Sequence, residues 1–350
     1  MGLSGLLTYV SAQNLACFGD AEYRVELAPE TVIAGPNNVG KSVMIAAFNF
    51  LRTNLGRPRV QWETSVYHWR DFETIVHRHD IRRKIQIGSE VQGETWKADI
   101  RMQIHGDTIA PKITPSTNIA DLSREFALIW YLGASRADIP SFSNVGSGIV
   151  GTAWNQPISP DGSNVVTYLL ERYTDRDERW SRAEKYLARI TPGFKILKSP
   201  LRGPQASLEA TYDSGVDLNF AYQGTGVQKA LSTIAALVFS PEGSTIIVEE
   251  PEIHLHPDSQ EALVDLFNEA VNDWGKQIIF TTHSWNMLLP FFSDIEKDVK
   301  VRGKDHVKAK PENFKLITFG RVGEDIKIET PNIREMVFRD VRDRFKELWG

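Results

Sequence analysis

The chain has 350 residues, of which 41% are hydrophobic and 24% charged, and its formal net charge is −5. This is the composition of a folded globular protein with one large domain or two ordinary ones. Because no run of 18 apolar residues occurs, no segment is predicted to span a membrane, and the slightly negative charge gives no global attraction for nucleic acid.

The N-terminal region lacks the marks of a targeting segment. Residues 1–17 have no basic n-region and no uninterrupted apolar core, which argues against a signal peptide. The N-myristoylation pattern is not met either, because Leu6 stands where Ser or Thr is required. The single cysteine, Cys17, permits no internal disulfide. We therefore expect a cytoplasmic protein in which Cys17 is a small packed residue.

The first elements of the chain predict strands and then a phosphate-binding loop. Alternating residues predict a strand pair at 6–10 and 23–27, and a β-branched strand follows at 30–34. Residues 35–42, Gly-Pro-Asn-Asn-Val-Gly-Lys-Ser, fit the pattern G-x-x-x-x-G-K-[ST]. Residues 43–55 carry apolar side chains at the spacing of a helix face. A strand, a glycine loop and a helix in this order point a helix N-terminus at an anion, so the loop is predicted to bind a nucleoside triphosphate.

The residue types of this loop indicate how the nucleotide would be held. Backbone N–H groups of such a loop wrap the phosphates, Lys41 would reach the terminal phosphates, and the Ser42 hydroxyl would bind Mg²⁺. The predicted contact residues are Gly35, Asn37, Asn38, Val39, Gly40, Lys41 and Ser42.

The middle of the chain predicts an antiparallel sheet followed by helices. Residues 84–109 alternate between apolar and polar, with glycines at the turns, as in a meander with one solvent-facing side. Residues 126–132 are continuously apolar and predict a strand buried on both faces, whereas residues 141–160 predict a loop. The elements predicted next are helices at 163–173 and 176–190, short strands at 194–197, 206–210 and 216–220, and a helix at 227–239.

The last third of the chain predicts buried strands that alternate with helices. The predicted elements are strands at 245–248, 277–280, 314–319 and 325–329, an amphipathic helix at 259–274 and a charged helix at 332–349. This alternation indicates an α/β sheet, to which the antiparallel lobe is attached. The C-terminal helix could dock a partner or another copy of the chain, and a merely solvated amphipathic helix is an equal alternative.

Two acids end the predicted strand at 245–248. Glu249 and Glu250 would lie at the carboxyl edge of the sheet, where ligands of α/β proteins bind. Glu249 is predicted to hold Mg²⁺ through water, because this metal keeps several waters. Glu250 is predicted to orient and deprotonate an attacking water. The alternative is a strand that merely ends in exposed acids.

Two further features point to the same chemistry. His283 follows the strand at 277–280, where an imidazole can sense a γ-phosphate or its attacking water. Glycines and a hydroxyl at the start of the helix at 227–239 form a second anion-binding helix N-terminus. Because the chain already has one phosphate loop, this second site suggests contact with the ATP of another subunit. Its predicted contact residues are Gly224, Thr225, Gly226 and Gln228.

Together these motifs resemble ATP-binding-cassette (ABC) ATPases, in the branch that contains RecF, the SMC proteins and the OLD (overcoming lysogenization defect) nucleases. Residues 35–42 resemble Walker A, residues 246–250 resemble Walker B, residues 224–228 resemble the signature loop, and His283 resembles the switch histidine. Residues 249–257 are similar to the Glu-Glu-Pro-Glu…Leu-His-Pro block of OLD-like ATPases.

The resemblance covers most of residues 1–290, and the chain departs from the pattern in three ways. Glu249 replaces the usual Asp, which is a common variation in this branch. The signature reads Gly-Thr-Gly instead of Leu-Ser-Gly-Gly, so Thr225 would take the serine role. No convincing Q-loop is found, which leaves the residue that couples the two lobes unassigned.

The resemblance implies a P-loop NTPase fold of the ABC ATPase type, with a mixed sheet, an antiparallel β lobe and an inserted helical lobe. The core lobe would comprise residues 1–135 and 235–350, and the helical and signature lobe residues 136–234. Subunits associated as a homodimer or a higher homo-oligomer would sandwich ATP with Mg²⁺ and hydrolyse it. The catalytic residues would be Glu250 and His283. OLD enzymes carry a C-terminal Toprim nuclease domain, for which the residues after Asn286 are too few, so a separate effector protein encoded nearby is expected, as in antiphage defence.

Other interpretations stay open at this stage. A RecF-like DNA-binding repair or chromosome-maintenance ATPase rests on the basic stretch at 70–84, for which a solvated surface is the alternative. A transporter ATPase subunit is disfavoured by the antiparallel lobe. His254 and His256 are interpreted as a dimer-contact loop, with metal binding as the alternative. Trp62, Trp69 and Trp96 are expected to fill a β core, whereas Phe18 could pack near an adenine or in the core.

Overall fold

The computed structural model describes residues 6–57, 59–63, 69–93, 97–106, 108–114, 118–145, 158–292, 313–323 and 325–331. The predicted helix at 332–349 and Trp96 lie outside the described residues. No helix in these ranges is long and apolar enough to cross a membrane.

The strands are β1 (Leu6–Gln13), β2 (Tyr23–Glu26), β3 (Glu30–Ala34), β4 (Ile85–Gln92), β5 (Lys97–His105), β6 (Thr108–Thr114), β7 (Ile129–Leu132), β8 (Ser143–Asn144), β9 (Phe194–Lys198), β10 (Leu201–Arg202), β11 (Gln205–Ala206), β12 (Glu209–Tyr212), β13 (Asp217–Asn219), β14 (Thr245–Glu249), β15 (Gln277–Thr282), β16 (Phe314–Val322) and β17 (Asp325–Glu329). The helices are α1 (Lys41–Asn54), α2 (Phe72–Ile75), α3 (Ile119–Ala127), α4 (Val165–Thr174), α5 (Trp180–Ile190), α6 (Thr225–Phe239) and α7 (Pro257–Asn272), and residues 285–292 are also helical.

A six-stranded sheet in the order β17-β16-β3-β15-β14-β7 forms the centre of the fold. Its strands from β16 to β7 are parallel, and β17 is antiparallel to β16. Every residue of β3, β14 and β15 is buried, which explains the consecutive apolar residues within each strand. The parallel arrangement brings the carboxyl ends of these three strands to one edge of the sheet, which is where the acids and the glycine loop follow.

The predicted antiparallel lobe is a second sheet, in the order β2-β1-β4-β5-β6. Buried Gln277 of β15 connects it to the central sheet. The Gln277 side-chain amide donates to the carbonyl of Leu7 (2.7 Å) and accepts from the N–H of the same residue (2.8 Å). The side chain therefore replaces the neighbour strand that the first residues of β1 would otherwise need.

Two hydrophobic cores lie on opposite faces of the central sheet. On one face Ile33, Ile247 and Ile279 pack with α1 and the antiparallel sheet. On the other face Val32, Ile246 and Ile278 pack with α4 to α7. The second core therefore joins helices of the predicted helical lobe to α7 and the sheet, and the division of the chain into 1–135 with 235–350 and 136–234 stays a prediction.

One predicted element is wrong in part. Residues 126–132 do not form one strand, because α3 continues to Ala127 and only Ile129–Leu132 are extended. A short apolar sequence fits a buried helix end as well as a buried strand. Asn118, whose side chain accepts from the N–H of Ala120, caps the start of this helix.

Candidate functional site

The glycine loop joins β3 to α1, as the sequence predicts. Gly40 has a φ of +93°, and a Cβ there would lie 2.7 Å from Sγ of Cys17 and 2.9 Å from Cζ of Phe18. Only glycine fits this position. Phe18, which is fully buried, and Cys17, which is partly buried, support the loop from below. No side chain caps the start of α1, so its first amide groups remain open for an anion.

Lys41, the first residue of α1, lies folded back on this loop. Its Nζ donates to the carbonyls of Gly35 (2.8 Å) and Pro36 (2.6 Å). Burial lowers the pKa of Lys41 to about 8, although nearby carboxylates, above all that of Glu250, act in the opposite direction. The ammonium group is therefore at the position where a phosphate could replace two carbonyl acceptors.

Glu249, the last residue of β14, is buried beside the start of α1. Its Oε1 accepts from the Tyr131 hydroxyl (2.8 Å), and Ser42 also hydrogen-bonds to its side chain. Burial raises the pKa of the Glu249 carboxyl, and these two hydrogen bonds oppose the rise. A hydroxyl and a carboxylate in contact are the hard oxygen donors that Mg²⁺ prefers, so Ser42 and Glu249 fit this metal.

Glu250 leaves the strand direction at a sharp backbone turn. Its φ is +44°, a conformation that costs a residue other than glycine free energy, and its N–H donates to the carbonyl and the hydroxyl of Thr281 (both 3.1 Å). The half-buried side chain lies 3.0 Å from His283, between Oε1 and Nε2. This hydrogen bond lowers the pKa of Glu250. Because the ionised carboxylate only accepts, Nε2 of His283 must carry the proton.

The sequence reasoning missed the role of Glu252. Its Oε1 accepts from the Thr282 hydroxyl (2.6 Å) and from the N–H of His283 (2.8 Å), while burial raises the pKa of its carboxyl. Glu252 therefore holds the segment that carries His283. Its place in the Glu-Glu-Pro-Glu sequence was the available signal, but the sequence alone does not show which strand end it contacts.

Arg136 was missed as well. Arg136 is 4% exposed, and its guanidinium donates to the carbonyls of Glu249 (3.1 Å), Glu250 (3.3 Å) and Gly133 (3.0 Å). Burial lowers the pKa of Arg136 to about 10, while nearby Glu252 raises it. Such a buried cation is tolerated because carboxylates surround it, and it fixes the backbone that carries both acids.

The signature residues lie at the start of α6, which, like α1, has no side-chain cap. Gly224 and Thr225 are exposed, and among the described residues no hydrogen bond joins either of them to the glycine loop. Gly226 is buried, and a Cβ there would stand 2.2 Å from the carbonyl oxygen of His254. The side chain of Gln228 points inward, where its Oε1 accepts from the N–H of Ile139 (2.6 Å).

The structure thus brings together Lys41, Ser42, Glu249, Glu250 and His283. Gly224 and Thr225 present a separate, outward-facing helix N-terminus. Gln228, predicted as a nucleotide contact, uses its amide within its own chain. The loop residues Asn37 and Asn38 are exposed at the tip of the glycine loop, where Asn38 has a φ of +62°, and Val39 is buried beneath them.

Three other predicted features are also located. His254 and His256 are exposed, and His256 caps the start of α7. In the basic stretch, Arg82 and Arg83 pair with Asp80 at 2.8 and 3.4 Å, which reduces the free positive charge. The described tryptophans, Trp62 and Trp69, pack against Phe50 of α1, with ring centroids 5.5 and 5.2 Å apart.

The chain is similar in sequence to several known proteins. A family model described as an AAA ATPase domain matches residues 163–288. An OLD nuclease of Thermus scotoductus is 23% identical over 97% of this chain and 67% of its own length. The energy-coupling factor transporter ATP-binding protein EcfA2 of Mesoplasma florum is 25% identical over 34% of this chain and 36% of its own length.

Solved structures show the fold. An SMC head bound to the C-winged helix domain of ScpA superposes with a TM-score of 0.62 at 11% identity, over 94% of this chain and 98% of that one. The Smc head domain with an extended coiled coil, bound to the C-terminal domain of ScpA derived from Pyrococcus furiosus, gives a TM-score of 0.56 at 10% identity, over 97% and 98% of the two chains. The predicted P-loop fold, with its mixed sheet and antiparallel lobe, is confirmed.

Proposed function

We propose that this ATPase of the ABC/SMC/OLD-like type hydrolyses ATP to ADP and phosphate. The site would be completed by a second copy of the chain. The observation that carries this proposal is the contact of Glu250 with His283 at 3.0 Å, beside Lys41, Ser42 and Glu249. A general base held next to a phosphate-binding lysine is what attack by water on a phosphate requires.

The residues of this chain divide the work as follows. Amide groups at the start of α1 and the ammonium of Lys41 bind the phosphates. Glu250, ionised at neutral pH, accepts the proton of the attacking water, and His283 holds its carboxylate in place. Ser42 and Glu249 would hold Mg²⁺, which when bound neutralises charge on the phosphate oxygens. Thr225 and Gly226 start an uncapped helix that would face the nucleotide bound by the other subunit.

The strongest test mixes two inactive variants. Lys41→Ala removes the phosphate contact, and Thr225→Arg places a long cation on the exposed start of α6. If each site combines residues 35–42 of one subunit with α6 of the other, the mixture contains dimers with one intact site, and hydrolysis returns. A mixture of Lys41→Ala with Glu250→Gln is the matched control, because both defects lie on the same side of the site. Hydrolysis by wild-type chains held as monomers would contradict the shared site.

Glu250→Gln should also trap ATP in a stable dimer or higher oligomer, because water activation is lost while the binding residues remain. Size-exclusion chromatography with ATP measures this directly. Normal hydrolysis by this variant would exclude Glu250 as the base.

We further propose that assembly around ATP in the cytoplasm gates a separate effector, a nuclease or a toxin, in antiphage defence. The support is the likeness to an OLD nuclease over almost the whole chain. Copurification with the product of a neighbouring gene tests this part, and its failure would leave the ATPase proposal intact.

The second candidate is a DNA-binding ATPase of the RecF or SMC kind. The side chain of Arg82 is 87% exposed, and the fold is that of SMC heads. Binding of duplex DNA that weakens steeply with salt, and that is reduced in Arg82→Ala, would favour this function. The ion pairs that Arg82 and Arg83 form with Asp80 argue for the first candidate.

A further inference from the structure

The connection between the two acids and the signature helix passes through a short segment that no sequence motif marks. This coupling segment, residues 133–139, follows β7 and contains the predicted boundary between the core lobe, which ends at residue 135, and the helical lobe, which begins at residue 136. We propose that it transmits the position of the Glu249–Glu250 backbone to the start of α6, with Arg136 as the positioning residue at one end and Gln228 as the receiver at the other. The inference rests on the proposed ATP hydrolysis. It assigns residues that would couple the core lobe to the helical lobe, for which the sequence contains no convincing Q-loop.

At the first end, the hydrogen bonds that Arg136 makes with the described residues go to main-chain carbonyls. Its two terminal nitrogens bind the successive carbonyls of Glu249 and Glu250, at 3.1 and 3.3 Å. Glu250 is the residue with a φ of +44°, so the guanidinium spans the backbone turn that aims the proposed base. Because Arg136 is 4% exposed and closely packed, a movement of this turn must displace the guanidinium and the chain attached to it.

The segment itself is held at its side. The N–H groups of Gly133 and Ala137 donate to the carbonyls of Pro160 (2.8 Å) and Asp161 (2.6 Å), which precede α4. Gly133 is also tied to Arg136 through its own carbonyl (3.0 Å). These contacts tie residues 133–137 to one another and to the residues that precede α4, so a displacement of Arg136 should be shared by the whole segment.

At the second end, the N–H of Ile139 donates to Oε1 of Gln228 at 2.6 Å. The amide nitrogen of Gln228 donates in turn to the carbonyls of Ala221 (3.1 Å) and Gln223 (2.8 Å). Gln223 immediately precedes Gly224, so Gln228 fixes the loop that leads into the exposed signature residues. The buried side chain thereby joins the coupling segment to the surface proposed to meet a second subunit.

A direct contact runs parallel to this connection. Gly226 packs against the carbonyl of His254, four residues after Glu250. The start of α6 is therefore held from two sides, by the loop after β14 and by the coupling segment. A change in the backbone at Glu250 reaches the same helix N-terminus by both routes, which favours a concerted shift.

The test separates coupling from nucleotide binding. Arg136→Lys keeps the buried charge but cannot span two carbonyls, and Gln228→Met keeps the volume but removes the three hydrogen bonds. We expect each variant to bind ATP within about twofold of wild type and to lose at least about tenfold in kcat, the equivalent of one net hydrogen bond. The double variant should lose no more than the more impaired of the two single variants, because both interrupt one connection. The matched control is Arg172→Lys, at an arginine of α4 that is 2% exposed and outside the site.

Hydrogen exchange gives a second measurement, for the case that Gln228→Met does not fold. ATP should slow exchange at residues 221–228 in wild type and do so to a smaller extent in Arg136→Lys, in which only the contact between Gly226 and His254 remains. Wild-type kcat in both single variants, additive losses in the double one, or an unchanged exchange response in Arg136→Lys would each overturn the coupling alone. A wild-type chain that does not hydrolyse ATP would overturn the proposed function and the coupling with it.

Discussion

Replacement of Gly226 by alanine tests how tightly the signature helix is held. The added Cβ would lie 2.2 Å from the carbonyl oxygen of His254 and 2.7 Å from its carbon. An ordinary carbon–oxygen contact is about 3.3 Å, so the start of α6 must move by roughly 1 Å. The obstacle is main chain, which cannot rotate away as a side chain can. We therefore expect destabilisation of about 1–3 kcal/mol, as in other overpacked sites.

The same displacement should separate hydrolysis from binding. A misplacement of about 1 Å can lower a rate by ~10²-fold, whereas the glycine loop is untouched and ATP should still bind. Urea denaturation, a nucleotide titration and steady-state hydrolysis measure the three quantities. Gly320→Ala is the matched control, because no atom lies within 4 Å of its added Cβ. Wild-type stability together with wild-type hydrolysis in Gly226→Ala would refute the reasoning.

Three further predictions concern ionisable and hydrogen-bonding groups. Tyr131→Phe removes a hydrogen-bond donor to Glu249 (2.8 Å), so the Mg²⁺ concentration that half-activates hydrolysis should rise about tenfold or more. Nucleotide binding without metal should stay unchanged. An unaltered Mg²⁺ titration would show that Tyr131 does not position this carboxylate. The pKa of Lys41 is lowered to about 8, so the ammonium is present below that pH and is lost above it. ATP affinity measured by titration should therefore fall between pH 8 and 9.5, and a flat profile would contradict this contact. Burial also lowers the pKa of Lys276 from 10.5 to about 7, which means that the folded state disfavours the proton. The free energy of unfolding should accordingly rise with pH between about 7 and 10.5, by up to a few kcal/mol, and Lys276→Met should lose this dependence in urea titrations at several pH values.

Much of the site was predictable because its residues follow strands directly. The buried strand β14 has only apolar and β-branched residues before its acid, so Glu249 and Glu250 had to lie at the edge of the sheet. The glycine loop is likewise defined by local spacing. The order of the motifs along the chain then suffices to place them at one edge, because parallel strands share the direction of their carboxyl ends.

The role of Tyr131 could not be read in this way. β7 pairs in parallel with β14 so that Tyr131 lies opposite Ile247, and alternation puts Glu249 on the same face as Ile247. The Tyr131 hydroxyl therefore reaches Glu249 only because of a strand pairing and a register. The sequence around residue 131 indicates neither the pairing partner of β7 nor its register. The start of this strand was also predicted three residues too early.

Gln228 shows the opposite case, in which a local signal existed. Residues 228, 231 and 235 share one face of α6, and Leu231 and Ala235 are fully buried. Helical spacing therefore indicates an inward-facing Gln228, whereas resemblance to a signature loop suggested a nucleotide contact. Arg136 carried no such signal, because its acceptors are carbonyl oxygens, which every residue type provides.

The two uncapped helix starts differ in the hydrogen bonds that a phosphate would replace. At α1, Lys41 already has two carbonyl acceptors, so a nucleotide must replace hydrogen bonds that the single chain has made. At α6, no side chain caps the helix, and Gly224 and Thr225 are exposed. A phosphate would therefore replace hydrogen bonds within the chain at α1 and hydrogen bonds to water at α6, and in both cases the net gain per hydrogen bond is small. We infer that closure of α6 from a second subunit adds to the affinity of the glycine loop for ATP, so the apparent dissociation constant should fall as the protein concentration rises. A constant that is independent of protein concentration would exclude this arrangement.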